Sequence, residues 1–173
     1  MKLKAISLAA LGAMILAAGV QAAVTPIPPN AYSQGCGVSG VGLQGDGADD
    51  TIMGTPLSDL LKGGPGKDKL GGLDGDDCLF GEDANDKLNS GAGVDLLSGG
   101  SGKDKLIAGD GNDFSKGGSK NDKLSGGAGD DVLKGGSGND KLSGGPGKDT
   151  IKCGPGKDKV VKGKGDKLGK NCE

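Results

Sequence analysis

The sequence predicts an all-β chain: a right-handed parallel β-helix with two nonapeptides in each 18-residue coil. Three observations predict it. From Gly45 to Val161 the chain divides into thirteen nine-residue windows without an insertion, and the sixth place of every window is aspartate. The eighth place is aliphatic in twelve of the thirteen, with Ser115 the exception. The seventh place alternates every eighteen residues: Thr51, Lys69, Lys87, Lys105, Lys123, Lys141 and Lys159 against Leu60, Cys78, Leu96, Phe114, Val132 and Thr150. A period of nine gives the unit and a period of eighteen gives the coil of a solenoid.

Composition removes the ordinary alternatives. Glycine supplies 39 of 173 residues, while aromatics amount to one Tyr and two Phe, with no Trp and no His. A chain this rich in glycine is disordered if aperiodic and a repeat protein if periodic. A core built on aromatics is not available to it. Every base is Lys and none is Arg. Base-reading proteins lean on Arg, so no nucleic-acid partner is expected.

Taken from the N-terminus, residues 1–22 read as a signal peptide. "MKLK" is a basic start, "AISLAALGAMILAAGV" an apolar run, and "VQA" ending at Ala22 a small-x-small cleavage site. The run is short for a membrane span, and no stop-transfer charges follow it, so no transmembrane segment is expected in the mature chain. The expected location is secreted, extracellular or periplasmic, and four cysteines suit an oxidising compartment. Without Lys2 and Lys4 the chain has 19 Lys against 23 acidic residues, a net charge of −4.

Residues 23–44 form a Pro-rich lead-in, "TPIPPNAY", and then "CGVSGVGLQ", which runs in register with Leu43 in the aliphatic place but Val41 where aspartate belongs. This reads as a degenerate cap that keeps the core residue and drops the acid. Residues 45–161 are the thirteen repeats. Residues 162–173, "KGKGDKLGKNCE", look like a unit one residue short before Asp166 and serve as the C-terminal cap.

The consensus is G-G-x-G-x-D-x-L-x. Six residues, G-G-x-G-x-D, make a tight loop, since glycine allows positive φ and close backbone approach. Three residues, x-L-x, make a short strand with its middle side chain inward. The thirteen windows give about six and a half coils, roughly 30 Å tall at strand spacing. On each side of the stack the aspartates then recur about 4.8 Å apart. Two bare carboxylates at that distance repel by about 3.5 kcal/mol at an effective dielectric near 20. A cation between stacked loops removes that repulsion. Carboxylates and turned-in carbonyls are the all-oxygen set that suits calcium, whereas zinc would want His or clustered thiols. The aspartates of the two columns are Asp50, Asp59, Asp68, Asp77, Asp86, Asp95, Asp104, Asp113, Asp122, Asp131, Asp140, Asp149 and Asp158, the ligand set that the resemblance described next implies.

The repeat resembles the RTX, or haemolysin-type, calcium-binding nonapeptide, G-G-x-G-x-D-x-U-x, over residues 45–161. The resemblance implies a parallel β-roll with Ca²⁺ between successive same-side loops, held by the sixth-place carboxylates and loop carbonyls. Windows 63–71, 99–107, 126–134, 135–143 and 144–152 hold the full loop pattern. Ala48, Leu57, Ala84 and Lys120 replace the fourth-place glycine elsewhere. Same-side loops leave at most eleven gaps, and calcium is expected in about half, weighted to residues 90–158. Lysine in the fifth place (Lys67, Lys103, Lys148, Lys157) is expected to compete for the carboxylate.

A Cys153–Cys172 disulfide would staple the end of the stack for about 3 kcal/mol. Cys36 and Cys78 lie two coils apart, about 10 Å if both windows stack, beyond disulfide reach. That leaves two outcomes: an N-terminal cap folded across the coils, or a free, exposed Cys78.

Other motifs fail on spacing. "GGSGKD" and "CGPGKD" place aspartate where a phosphate loop needs Ser or Thr. "DGDD" and "DGND" lack the 12-residue frame of an EF-hand. No nucleophile–base pair is available, so no catalytic or cofactor-binding residues are assigned and the chain is expected not to be an enzyme. The function expected is an exported calcium-binding β-roll that folds on Ca²⁺. The alternatives are an adhesion or envelope-associated scaffold, or an accessory to a separate secreted enzyme. The seventh place adds two unlike outer faces, a lysine ladder and an apolar stripe, as docking surfaces for an anionic envelope polymer or a protein partner.

Overall fold

The computed structural model describes residues 37–172 together with the strand Thr25–Pro26. The described residues contain strands and turns and no helix. They wind as a β-solenoid of about seven turns, consistent with a β-roll. One sheet has nine strands, in the order β1 (Thr25–Pro26), β2 (Gly42–Gln44), β4 (Leu60–Pro65), β6 (Cys78–Asp83), β8 (Leu96–Ser101), β10 (Phe114–Ser119), β12 (Val132–Ser137), β14 (Thr150–Lys152) and β16 (Lys167–Leu168). The other has seven: β3 (Thr51–Met53), β5 (Lys69–Asp74), β7 (Lys87–Ala92), β9 (Lys105–Asp110), β11 (Lys123–Ala128), β13 (Lys141–Ser143) and β15 (Lys159–Val161). All pairs are parallel except β1 with β2. The register is eighteen residues throughout the thirteen windows: Leu70 pairs with Leu88, Leu88 with Leu106, and Leu97 with Ser115.

The eighth-place residues supply the core. Leu61, Leu79, Leu97, Leu133 and Ile151 from the nine-stranded sheet meet Ile52, Leu70, Leu88, Leu106, Leu124 and Leu142 from the seven-stranded one in one continuous cluster. Ser115, the exception, is also fully buried, and its hydroxyl has no hydrogen-bond partner. Leu43 in β2 stacks on Leu61 and packs against this core.

Nine of the strands are six residues long, not three. β5, for example, continues from Lys69, Leu70 and Gly71 into Gly72, Leu73 and Asp74, the first three places of the next window. An unbroken eighteen-residue register puts most second-place glycines on the equivalent glycine one coil away, as Gly100 on Gly118 and Gly118 on Gly136, so the ladder runs on through the first half of the loop. The second-place glycine does this at positive φ. At Gly127 (φ +123°) an added Cβ would strike the Gly109 carbonyl beneath it. Leu73 and Glu82 hold the same place at φ +93° and +79°, and Ala84 and Lys120 hold the fourth place at +75°. Left-handed backbone costs an L-residue about 1–2 kcal/mol. Leu73→Gly is therefore expected to stabilise the folded protein by about 1 kcal/mol and Gly127→Ala to destabilise it by more. Thermal unfolding of both variants checks this; an unchanged midpoint for Leu73→Gly would exclude strain at that place.

Cys153 and Cys172 are bonded, S–S 2.02 Å, and join the tail to the last full window. Cys78 is neither free nor exposed. It is buried and disulfide-bonded, and it packs beside Leu60, Val38 and Phe80. At the start of the apolar stripe Leu60 and Cys78 are buried, with Val38 packed against them, whereas Leu96, Phe114 and Val132 farther along it are half-buried. The Lys134 ammonium sits 4.5 Å from the Phe114 ring centre. No described helix is long and apolar enough to cross a membrane. The signal-peptide reading and most of the Pro-rich lead-in fall outside the described residues.

Candidate metal centre

The loops place the sixth-place aspartates in two columns, one at each side of the flattened coil. Their backbones are fixed by the sheets: the carbonyl of every one from Asp50 to Asp149 accepts the N–H of the residue after the next same-side aspartate, as from Lys69 to Asp50 (2.9 Å) and from Phe114 to Asp95 (2.8 Å). Their side chains turn inward. All thirteen are at most 5 % exposed.

Within a column each carboxylate reaches back one coil. Oδ1 of Asp68, Asp86, Asp104, Asp122, Asp140 and Asp158 accepts the N–H of the preceding same-side aspartate at 2.8–2.9 Å. Asp77, Asp95, Asp113, Asp131 and Asp149 do the same on the other side. The second oxygen is left over. Oδ2 of those eleven residues, and Oδ1 of Asp50, is buried with no hydrogen-bond partner. A buried unsatisfied oxygen is costly, more so when charged.

Asp59 differs from the other twelve. It accepts the Thr55 N–H at 2.6 Å, the Thr55 hydroxyl and the Val41 N–H, so both its oxygens have partners in the protein. Its loop also lacks the positive-φ turn found at the fourth place of later windows.

The unpaired oxygens face further oxygen. A Cβ added at Gly135 would meet Oδ2 of Asp140 at 2.5 Å and the Cys153 carbonyl at 2.6 Å. At Gly117 it would meet Asp122 Oδ2 and the Gly135 carbonyl, and at Gly126 Asp131 Oδ2 and the Gly144 carbonyl. First-place glycine therefore keeps open a cradle where a carboxylate and a carbonyl from the next same-side coil converge. Among the described residues no three His, Cys, Asp or Glu side chains gather at one point. A cation here would rest on carboxylates supplemented by backbone carbonyls, an oxygen-only set that suits a hard divalent ion.

The electrostatics match. Burial pushes Asp77, Asp86 and Asp122 up to about 7 and Asp113 and Asp131 to about 6. The backbone hydrogen bond opposes this, and neighbouring carboxylates of the column add to it. Asp50, Asp68, Asp95, Asp104, Asp140 and Asp149 are raised for the same first reason.

With that geometry established, comparison with known proteins is decisive. Residues 44–151 match the RTX calcium-binding nonapeptide repeat in four copies, at 44–79, 53–88, 80–115 and 116–151. The chain belongs to the RTX calcium-binding nonapeptide repeat family. No curated protein matches it. RTX repeats in a β-roll make it a calcium-binding repeat protein, and the roll is a structural domain rather than a catalytic fold.

Two features of this RTX chain escape a reading of the repeat alone. Asp166, in the shortened last unit, is buried and continues the column, accepting the N–H of Asp149 at 3.2 Å and of Gly163 at 2.6 Å. Its G-x-G-D-x-L setting, the repeat with one residue lost before the aspartate, is the signal that marks it. The fifth place also carries a ladder: Asp49, Asn85, Asn121 and Asn139 on one side, and Asp76, Asn112 and Asp130 on the other, accept the fifth-place N–H one coil on. Lys67, Lys103, Lys148 and Lys157 supply four of those N–H groups, and none of the four forms an ion pair among the described residues. Competition by lysine for the metal carboxylates has no support in this geometry.

Proposed function

We propose that the chain is an exported, non-enzymatic calcium-binding β-roll whose folding is driven by Ca²⁺ bound between same-side loops. The observation that carries this is the double column of buried carboxylates, twelve of them with an unpaired oxygen, several of those oxygens standing beside a loop carbonyl, as at Gly117, Gly126 and Gly135. Asp50, Asp68, Asp77, Asp86, Asp95, Asp104, Asp113, Asp122, Asp131, Asp140, Asp149 and Asp158 would hold the metal. Asp59 serves chiefly to fix the first coils through Thr55 and Val41. Bound calcium supplies positive charge to the columns. The residues themselves position the carboxylates through the Oδ1 hydrogen bonds and exclude water through burial. The signal-peptide pattern and the disulfide support export to an oxidising, calcium-rich compartment. A scaffold role at the cell envelope is the second reading, favoured by the lysine ladder.

The test is calcium stoichiometry by equilibrium dialysis, on the parent and two variants. The parent is expected to bind several ions per chain. Asp140→Asn is expected to lose bound calcium at saturation and to raise the folding midpoint about tenfold. Asp59→Asn is expected to keep the parent's ion count while unfolding at lower temperature. Equal loss of ions in both variants would show that unpaired oxygens do not mark the sites, and a parent that binds none would refute the proposal.

A further inference from the structure

Lys69, Lys87, Lys105, Lys123, Lys141 and Lys159 stand in hydrogen-bonded register on the outer face of the seven-stranded sheet. All six are exposed, and none is in an ion pair among the described residues. Strand pairing sets neighbours about 4.8 Å apart, and like charges directly opposite destabilise a sheet. Among the described residues no acidic side chain pairs with them. Beside the ladder runs an open groove of about 400 Å³ along four coils. Lys105, Lys123, Lys141 and Lys159 form one wall, and Ile107, Ser125, Ser143 and Val161 the other. Its surface is nearly all carbon, from lysine stems and the aliphatic residues. The seven-stranded sheet alone combines these features, since the same column on the opposite sheet holds Leu96, Phe114 and Val132.

We propose that this groove binds a linear polyuronate, an acidic polysaccharide with one carboxylate per ring, lying along the axis of the roll. The inference rests on the calcium-folded roll, because the ladder exists only when the coils stack. The charge is a line one residue wide, which fits a linear polymer better than a surface. The ammonium groups recur about every 4.8 Å, roughly the length of one pyranose ring, so a (1→4)-linked uronate chain, whose successive rings turn their carboxylates to alternate sides, sets those that face the sheet against about every second lysine. The carbon faces of the rings lie on the lysine stems and Ile107, and ring hydroxyls fall beside Ser125 and Ser143. A nucleic-acid strand is a poorer match: its charges recur about every 3.4 Å, and the groove has no aromatic ring on which to stack bases. An anionic bilayer would call for basic residues spread across the face, whereas the neighbouring column carries none.

The experiment measures binding of short oligogalacturonates to the full chain in saturating calcium, with circular dichroism on the same samples. One variant is Lys105→Gln/Lys123→Gln/Lys141→Gln. A charge-matched control, Lys62→Gln/Lys116→Gln/Lys152→Gln, alters the opposite sheet, where these residues share one column. The parent is expected to bind the oligouronate and not neutral dextran. The ladder variant is expected to lose about tenfold or more in affinity, and the control to stay near the parent. Equal losses in the two variants would reduce the effect to net charge. Undiminished binding by the ladder variant would mean that calcium bridges the polymer to the acidic loops. Tighter binding to anionic phosphatidylglycerol vesicles or to oligo-dT would assign the face to a membrane or a nucleic acid. Each of these results overturns the proposal, as does a folded parent that does not bind. A chain without β-signal in calcium overturns this inference and the calcium reading together.

Discussion

In excess chelator at pH 7.5 the purified chain is expected to lose nearly all of its β-signal in circular dichroism, and to regain it when calcium is returned. The core contributes one aliphatic side chain per nine residues and no aromatic ring. Against it stand two columns of carboxylates, at most 5 % exposed, that meet their same-side neighbours at strand spacing. Adjacent charges there oppose each other by about 3.5 kcal/mol at an effective dielectric near 20, and twelve buried oxygens lack partners. Without a cation the columns must open or take up protons, and at pH 7.5 protons are scarce. Opening one loop separates the coils whose stacking forms the core, so loss is expected to spread along the roll. Magnesium should restore little of the signal. It demands near-octahedral geometry and gives up its waters reluctantly, whereas the cradles at Gly117 and Gly135 present a protein carboxylate and a carbonyl. An identical folded spectrum in chelator and in calcium would refute this account.

Periodicity made most of this architecture readable from the sequence. The nine-residue recurrence of aspartate fixes the loops, and the eighteen-residue alternation of Lys against apolar residues at the seventh place fixes which windows stack. Together they determine the register seen from Thr51 to Val161. Less readable was anything set by conformation or by contacts outside the repeat. The six-residue strands were hidden because glycine pairs read as loop, whereas stacking on their own equivalents lets them pair at positive φ. Asp59 carries the same letter as Asp140, but a neighbouring Thr55 and the cap residue Val41 claim its oxygens. Asp166 sits seventeen residues after Asp149, out of phase with the period, and still joins the column because the tail is drawn in through Cys172.

Mild acid is expected to replace calcium in part, with opposite effects on the free and loaded protein. Asp77, Asp86 and Asp122 are pushed up to about 7, and Asp113 and Asp131 to about 6, in each case first by burial. In the unfolded chain these groups titrate near 3.8. Between pH 4 and pH 7 the folded, metal-free roll therefore binds more protons than the unfolded chain, so its stability rises as pH falls through that window and is lost as pH rises through about 6 to 7. The mechanism is visible in the cradle: a proton on Asp140 Oδ2 removes one charge from the column and turns an unpaired acceptor into a donor beside the Cys153 carbonyl. In chelator, β-signal that is absent at pH 7.5 is thus expected to appear on titration to pH 5. In calcium the same protons compete with the metal for the carboxylates, so the calcium concentration needed for half-folding should rise as pH drops below 7. Below about pH 4 the loaded and free proteins should converge, because both states of the chain are then protonated. Circular dichroism titrations in EDTA and in calcium test both arms. A metal-free chain that stays unfolded at pH 5 would show that repulsion between the carboxylates is not what holds the roll open, and that calcium acts instead by organising the loop carbonyls.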